Sequence, residues 1–336
     1  MSLVLTRRRS PDARSGRTDR SSSLVDTPSN PVPDGAVCDF VETSDGVRLR
    51  FARFPAGLRP SKGTVVLVQG RSEYIEKYYE TIRDMQERGF GVVAFDFRGQ
   101  GRSDRLLTDR WRGHVGTFHD YVRDLDTIMR DVALPDCRAP FHLLGHSMGG
   151  LVALIAGARV TGRFSRMVLS APLLAYGDAL PISQAKIEFA TGALTWLGLP
   201  FLRSGTERLP IERDFAGNVL TSDAARYGRN QATVRAAPEL TLAAPTVGWL
   251  HASCRAMNEA WQPETMARHR TPTLIVSAGA DRLVDPRAVG EYGQRLRSGV
   301  HLDVAGARHE ILQERDELRE PFLAAFDAFV PGADHL

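Results

Sequence analysis

From residue 63 onward the apolar positions follow two alternating periods. Runs rich in valine, leucine and isoleucine stand at "GTVVLVQG" (63–70), "GVVAFDF" (91–97), "FHLLG" (141–145), "RMVLSAP" (166–172) and "PTLIVSAGAD" (272–281), and a further strand pattern at "GVHLDVAG" (299–306). Short runs of this kind, bounded by turn residues, predict buried strands. Between them the spacing is helical. A helix is expected over 78–88, ending at Gly89, with others over 148–160, 287–297 and 316–330. Phe118, Tyr121, Val122, Leu125, Ile128, Met129 and Val132 recur at three and four residue steps, with Asp120, Arg123, Asp124 and Arg130 on the opposite face. That pattern predicts a helix lying on a sheet. Two more strands, "VCDFVET" and "VRLRFARF", precede the series and are joined by Ser44-Asp45-Gly46, a turn suited to a hairpin.

Strands alternating with amphipathic helices imply a parallel sheet with right-handed crossovers and helices on both faces, an α/β class fold. The alternation stops after Pro172 and resumes at Pro272. In between, "ISQAKIEFATGALTWLGLPFL" and "TVGWLHASCRAM" offer apolar helices and several prolines but no strand period. The chain therefore divides into an amino-terminal arm (1–35), a first core part (36–174), an inserted helical cap (175–262) and a second core part (263–331).

Composition narrows the partners. The 336 residues are 43% hydrophobic and 25% charged with a net charge of +3, and basic and acidic residues are interspersed except near the start. No nucleic-acid groove is indicated, and a small molecule is the expected partner. The arm is rich in Arg, Ser, Asp and Pro with almost no apolar period, so it is expected to be a disordered, solvated basic segment. Cys38, Cys137 and Cys254 are odd in number and widely spaced, which points to packing residues in a reducing, cytoplasmic setting, with no metal site. "MSLVLTRRRS" has its charges after a short apolar stretch, the reverse of a secretory signal, and no run reaches the roughly 18 apolar residues of a membrane span.

The chemistry gathers at the strand ends. "FHLLGHSMGG" sets Ser147 in a G-x-S-x-G pattern between an apolar strand and a helix, the setting in which a sharp turn presents a serine nucleophile. Such a serine needs a general base, itself oriented by a carboxylate. In open α/β sheets both should follow the carboxyl ends of strands. Asp281 follows "TLIVSAGA", whereas Asp285, next to Pro286, suits the cap of the next helix. His309 follows the last strand. His301 begins that strand and would emerge at the wrong edge, and His146 is expected to point away from the serine. Oxyanion donors are expected from the backbone N–H of Met148 and, in the loop after the third strand, of Arg71.

These residues, with "GHSMGG", "DFRGQGRSDR" (96–105), "GADRLVD" (279–285) and "RHEILQE" (308–314), resemble the α/β-hydrolase superfamily over about residues 37–330, in particular its monoacylglycerol lipase and bacterial lysophospholipase branch. The resemblance implies an α/β-hydrolase fold, a Ser147-His309-Asp281 triad, and a tight structural turn at 96–105 held by pairing of Asp96 with Arg98. Gln69-Gly70-Arg71-Ser72-Glu73 stands where that family has His-Gly-x-x-Glu, so hydrogen bonding beneath the loop must differ.

The expectation is a serine hydrolase of lipid-like carboxylic esters that forms an acyl-enzyme on Ser147 and needs no cofactor. Trp196, Leu197, Leu199, Phe201 and Leu202 in the cap would offer an acyl-chain wall or a face for peripheral membrane contact, with packing on the core as the alternative use. One rival is a peptidase or amidase of the proline iminopeptidase type, with Glu188, Glu207 or Glu212 holding the substrate ammonium. The other is a catalytically inactive binding module on the same fold.

Overall fold

The computed structural model describes residues 23–331, apart from 161, 181 and 206–213. Strands β1 (Val37–Glu42) and β2 (Arg48–Phe54) form the hairpin, with Gly46 at φ +81° where the turn needs the left-handed region. Then come β3 (Thr64–Val68), a 3₁₀ turn (Ile75–Tyr78), α1 (Tyr79–Glu87), β4 (Gly91–Phe95) and α2 (Phe118–Ile128). A π-type turn (Met129–Ala133) and the single turn α3 (Leu134–Asp136) continue α2. After β5 (Phe141–His146), α4 (Met148–Arg159) and β6 (Arg166–Ser170) lie α5 (Gln184–Trp196), α6 (Ala224–Ala236), α7 (Val247–Ala260) and α8 (Pro263–Arg268). The chain closes through β7 (Thr273–Ala278), α9 (Pro286–Arg295), β8 (Gly299–Val304) and α10 (Asp316–Phe329).

The eight strands form one sheet in the order β1-β2-β4-β3-β5-β6-β7-β8. Pairs β1–β2 and β2–β4 are antiparallel, and the remaining neighbours are parallel. Each central strand sends alternate residues to opposite faces, as the period of two requires. Val66, Val68, Leu143, Leu169 and Ile275 join the layer containing α2, α4, α7 and α9. Val65, Leu67, Leu144, Val168 and Leu274 join the layer of α1 and α10. With both faces covered, the strands read as unbroken apolar runs. This is the α/β-hydrolase architecture. Because the parallel strands all point one way, the segments leaving β3, β5, β7 and β8 gather at one edge of the sheet.

Three expectations need correction. Residues 23–35 lie against the core instead of belonging to the arm: Asn30 is buried and donates to Glu76 O at 2.8 Å, Arg83 donates to Pro31 O at 2.9 Å, and Leu24 and Val32 pack on the α1 layer. A few anchors at backbone carbonyls suffice for a segment without periodicity. The rest of the expected arm, residues 1–22, lies outside the described residues. Asp96 and Arg98 do not pair with each other. Asp96 takes Arg50 Nε at 2.7 Å, while Arg98 takes Asp124 at 2.8 Å and Asp45 at 2.7 Å. Consequently Asp124, assigned to the polar face of its helix, is buried. The last helix of the expected cap, α7, presents Trp249, Cys254 and Met257 to the main core, so it acts as part of the core layer.

Candidate functional site

Between β5 and α4 the backbone turns at Ser147, with φ 51° and ψ −116°. A non-glycine residue in this region is strained and persists only where its surroundings over-determine it. They do so here. Ser147 N–H donates to Ser170 O at 3.0 Å, and Ser147 O accepts from Leu173 N at 3.0 Å. The start of α4 is pressed onto the sheet so closely that a Cβ on Gly149 would sit 2.1 Å from Val68 O, and one on Gly150 2.7 Å from Pro172 Cβ. Glycine at these positions is a steric requirement of the turn. Met148 is the first residue of α4, and the leading N–H groups of a helix have no partner within it.

Two other strand ends meet the serine. His309, in the loop after β8, has Nε2 2.9 Å from Ser147 Oγ and Nδ1 2.6 Å from Asp281 Oδ2. Asp281 stands after β7, and its second oxygen accepts from Leu283 N at 2.8 Å and Val284 N at 3.1 Å, which fixes the carboxylate plane. Ser147, Asp281 and His309 are 9%, 8% and 5% exposed, so their hydrogen bonds are shielded from water. Burial by itself would lower the basicity of His309, but the adjoining Asp281 carboxylate, with Glu310 and Glu73 behind it, raises its pKa above the ordinary imidazole value. Asp285 caps α9, accepting from Arg287 N at 2.9 Å. His301 bonds Ser277 Oγ at 2.9 Å within the sheet.

The loop after β3 is held on several sides. Gln69 Nε2 donates to Phe95 O at 2.6 Å and Asp96 Oδ1 at 3.1 Å. Ser72, at φ 63°, donates its N–H to Gln100 Oε1 at 2.8 Å, and Gly70 N–H donates to the Glu73 carboxylate. The Arg71 peptide is thus bracketed by anchored neighbours. Its guanidinium reaches Ala243 O at 2.6 Å and lies 5.3 Å from the Trp249 ring centre, in the seam between the core and the segment before α7. His146 does not simply point away: its ring lies 4.9 Å from that of His309, and Nε2 is 3.6 Å from Glu73 Oε1. Burial pushes its pKa down to about 4, so it is neutral at neutral pH. The ionic cluster around Glu73 was not read from the sequence. Glu73 and Lys77 at i and i+4 were its one visible sign.

Among the carboxylates considered for an ammonium, Glu188 is half-buried and accepts from Asn258 Nδ2 at 2.8 Å, while Glu207 and Glu212 lie outside the described residues. Among the described residues no group of three or more His, Cys, Asp or Glu side chains is arranged to hold a metal ion, and no helix is long and apolar enough to cross a membrane.

A family model described as serine aminopeptidase, S33, matches residues 59–316. Lysophospholipase L2 of Escherichia coli (strain K12) is 32% identical over 305 residues, covering 85% of this chain and 84% of that protein. The monoacylglycerol lipase of Mycolicibacterium smegmatis is 26% identical, over 81% of this chain and 89% of its own. Among solved structures, the Paleococcus ferrophilus monoacylglycerol lipase superposes with a TM-score of 0.66 at 22% identity, over 84% of this chain and 99% of that one, a likeness of fold.

Proposed function

Because the chain belongs to the serine aminopeptidase S33 family of hydrolases, we propose that the strand-end site hydrolyses lipid-like carboxylic esters of the lysophospholipid or monoacylglycerol kind through an acyl-enzyme on Ser147. The protein is a carboxylic ester hydrolase, as its relatives named lysophospholipase and monoacylglycerol lipase indicate. The observation that carries the residue roles is the unbroken hydrogen-bond chain from Asp281 through His309 to Ser147, at 2.6 and 2.9 Å, on a strained turn.

In this reading Ser147 Oγ attacks the ester carbonyl as His309 Nε2 takes its proton. Asp281 holds the imidazole in the tautomer with Nδ1 protonated and stabilises the imidazolium that forms. The negative oxygen of the tetrahedral intermediate is received by the backbone N–H groups of Met148 and Arg71, each donor of this type contributing about 2.7–4 kcal/mol to lowering the barrier. His309 then protonates the leaving alcohol, and water, activated by the same imidazole, releases the fatty acid.

The cap supports the lipid assignment. Trp196, Leu197, Leu199, Phe201 and Leu202 are exposed to solvent, an apolar surface suited to an acyl chain or to peripheral contact with lipid. A fluorophosphonate probe should label the wild type and spare Ser147→Ala. A panel of lysophospholipids, monoacylglycerols, short-chain esters and aminoacyl amides should show turnover of the lipid esters first. Preference for the amides would replace this reading with the peptidase one, and an unlabelled wild type would replace it with a binding role.

A further inference from the structure

Behind the triad lies a group of buried ionisable side chains that the acyl-transfer steps do not use. Lys77 Nζ, in the 3₁₀ turn before α1, donates to Glu73 Oε1 at 2.8 Å and to Glu310 Oε1 at 2.6 Å. All three side chains are less than a tenth exposed. Glu73 belongs to the loop after β3 and holds that loop directly: its other oxygen accepts from Gly70 N–H, beside the expected donor Arg71, and from Tyr78 OH at 2.6 Å. Glu310 is the chain neighbour of His309, and its own N–H is tied to Leu220 O at 2.8 Å. A single ammonium therefore joins the loop expected to stabilise the oxyanion to the loop that carries the base.

The two loops leave strands that are not neighbours: in the sheet β5, β6 and β7 separate β3 from β8. Sheet hydrogen bonding alone does not set the distance between their tips. Acyl transfer needs that distance set, because the base and the oxyanion donors act on one carbonyl, and a misplacement of about 1 Å can cost on the order of 10²-fold in rate. Burying two carboxylates and an ammonium is unfavourable unless they are paired with good geometry. Here one cation satisfies both acids, and the neutral His146 beside Glu73 supplies no second permanent charge. Burial would push the Glu73 carboxyl up, yet the Lys77 charge, with the hydrogen bonds from Lys77 and Tyr78, holds it below the usual carboxylate range, so Glu73 stays ionised against Lys77.

Resting on the ester-hydrolase reading above, we propose that Lys77 is a positioning residue, which by bridging Glu73 and Glu310 holds the oxyanion loop and the His309 loop in register and balances the negative charge behind the imidazole. The groups facing His309 are Asp281 after β7, Ser147 and His146 at the end of β5, Glu73 after β3, and Glu310 with its partner Lys77. Removing the positive end of the bridge and removing its negative end must then move the imidazole in opposite directions.

The test compares Lys77→Met, Lys77→Arg and Glu310→Gln with the wild type by ester turnover across pH and by NMR titration of ¹³C-labelled histidine, which reads His309 without reference to turnover. Expected are a kcat about 10–100-fold lower in Lys77→Met with KM little changed, an upward move of the His309 titration and of the acid limb in that variant, a downward move in Glu310→Gln, and recovery of most of the rate in Lys77→Arg. Folded Lys77→Met and Glu310→Gln proteins with an unmoved titration and kcat within twofold of wild type would overturn the proposal. Should Lys77→Met fail to fold, Glu310→Gln, which keeps the size and acceptor oxygen of the side chain, decides alone. A wild type that turns over no ester would refute the activity above while leaving the titration shifts readable.

Discussion

Helices α4 and α5 are nearly equal in length and both apolar in sequence, yet they have opposite fates. In α4, "MGGLVALIAGAR", every residue from Met148 to Gly157 is buried. In α5, "QAKIEFATGALTW", only Ile187 and Thr191 are, while Phe189 and Trp196 are 80% and 86% exposed. The difference lies in what surrounds each. α4 is enclosed by the sheet on one side and by α2, α7 and α8 on the others, whereas α5 leans chiefly on α7. Hydrophobicity all round a helix signals burial only where enough neighbours exist to cover it. In the first region the packing creates the geometry of the chemistry, and in the second it leaves an apolar surface for something else to cover.

Substitutions in the two regions should therefore differ by orders of magnitude. Ser147→Ala and His309→Ala are expected to lower kcat by about 10⁶, the scale found when a serine-hydrolase triad residue is deleted. Asp281→Asn should lower it by about 10⁴, through the wrong imidazole tautomer. Asp285→Asn should leave kcat within about twofold, since asparagine caps a helix as well as aspartate does. A severe loss at Asp285 with little at Asp281 would reverse the assignment of the acid, and steady-state kinetics on one ester decides.

Gly149→Ala comes next in size. The added methyl meets the backbone carbonyl of Val68, which cannot swing aside as a side chain can. Overpacking of this kind costs about 1–3 kcal/mol in denaturant titrations, and displacement of the turn should reduce kcat by about 10²-fold. An unaltered kcat would show that the turn tolerates more movement than its contacts suggest.

A subtler expectation concerns protons. The proposed mechanism requires His309 to be neutral before attack, and its pKa is raised by Asp281 against the effect of burial. The imidazole then keeps its proton to higher pH, so kcat/KM should fall, as pH is lowered, with a midpoint above the ordinary histidine value of about 6.5. In Asp281→Asn that limb should move downward. A wild-type limb below about 6 would mean that burial outweighs the carboxylate.

The smallest effects are expected on α5. Trp196→Ser and Phe189→Ser should change stability by no more than about 0.5 kcal/mol, as surface substitutions do. They should leave hydrolysis of a water-soluble short-chain ester unchanged and lower hydrolysis of vesicle-borne substrate a few-fold. Losses above about 2 kcal/mol would instead identify the face as packing and remove the contrast with α4.

Much of the sheet was legible because its inner strands are covered on both faces and leave continuous apolar runs, while the edge strand at 299–304 leaves an alternating one. The runs at 64–68, 91–95, 141–146, 166–170, 273–278 and 299–304 each became a strand. Ser147, Asp281 and His309 could be singled out because each stands within about five residues past the end of such a run. The partners of polar residues were not. Asp96, Arg98, Asp124, Arg50 and Glu76 carry charge in the sequence without stating which opposite charge each will meet, and their pairings span 26 to 46 residues. The packing of 23–35 was hidden for a related reason, since hydrogen bonds to backbone carbonyls leave no side-chain period to detect.

Local patterning by itself determined the alternation of strand and helix and the place of the sharp serine turn, since each depends on near neighbours in the chain. Only the tertiary structure decided that Asp281 Oδ2 meets His309 Nδ1 at 2.6 Å, that Lys77 ties two distant loops together, and that α5 stays uncovered. These depend on how far apart strand ends lie and on what else occupies the space between them, and a one-dimensional pattern carries neither quantity.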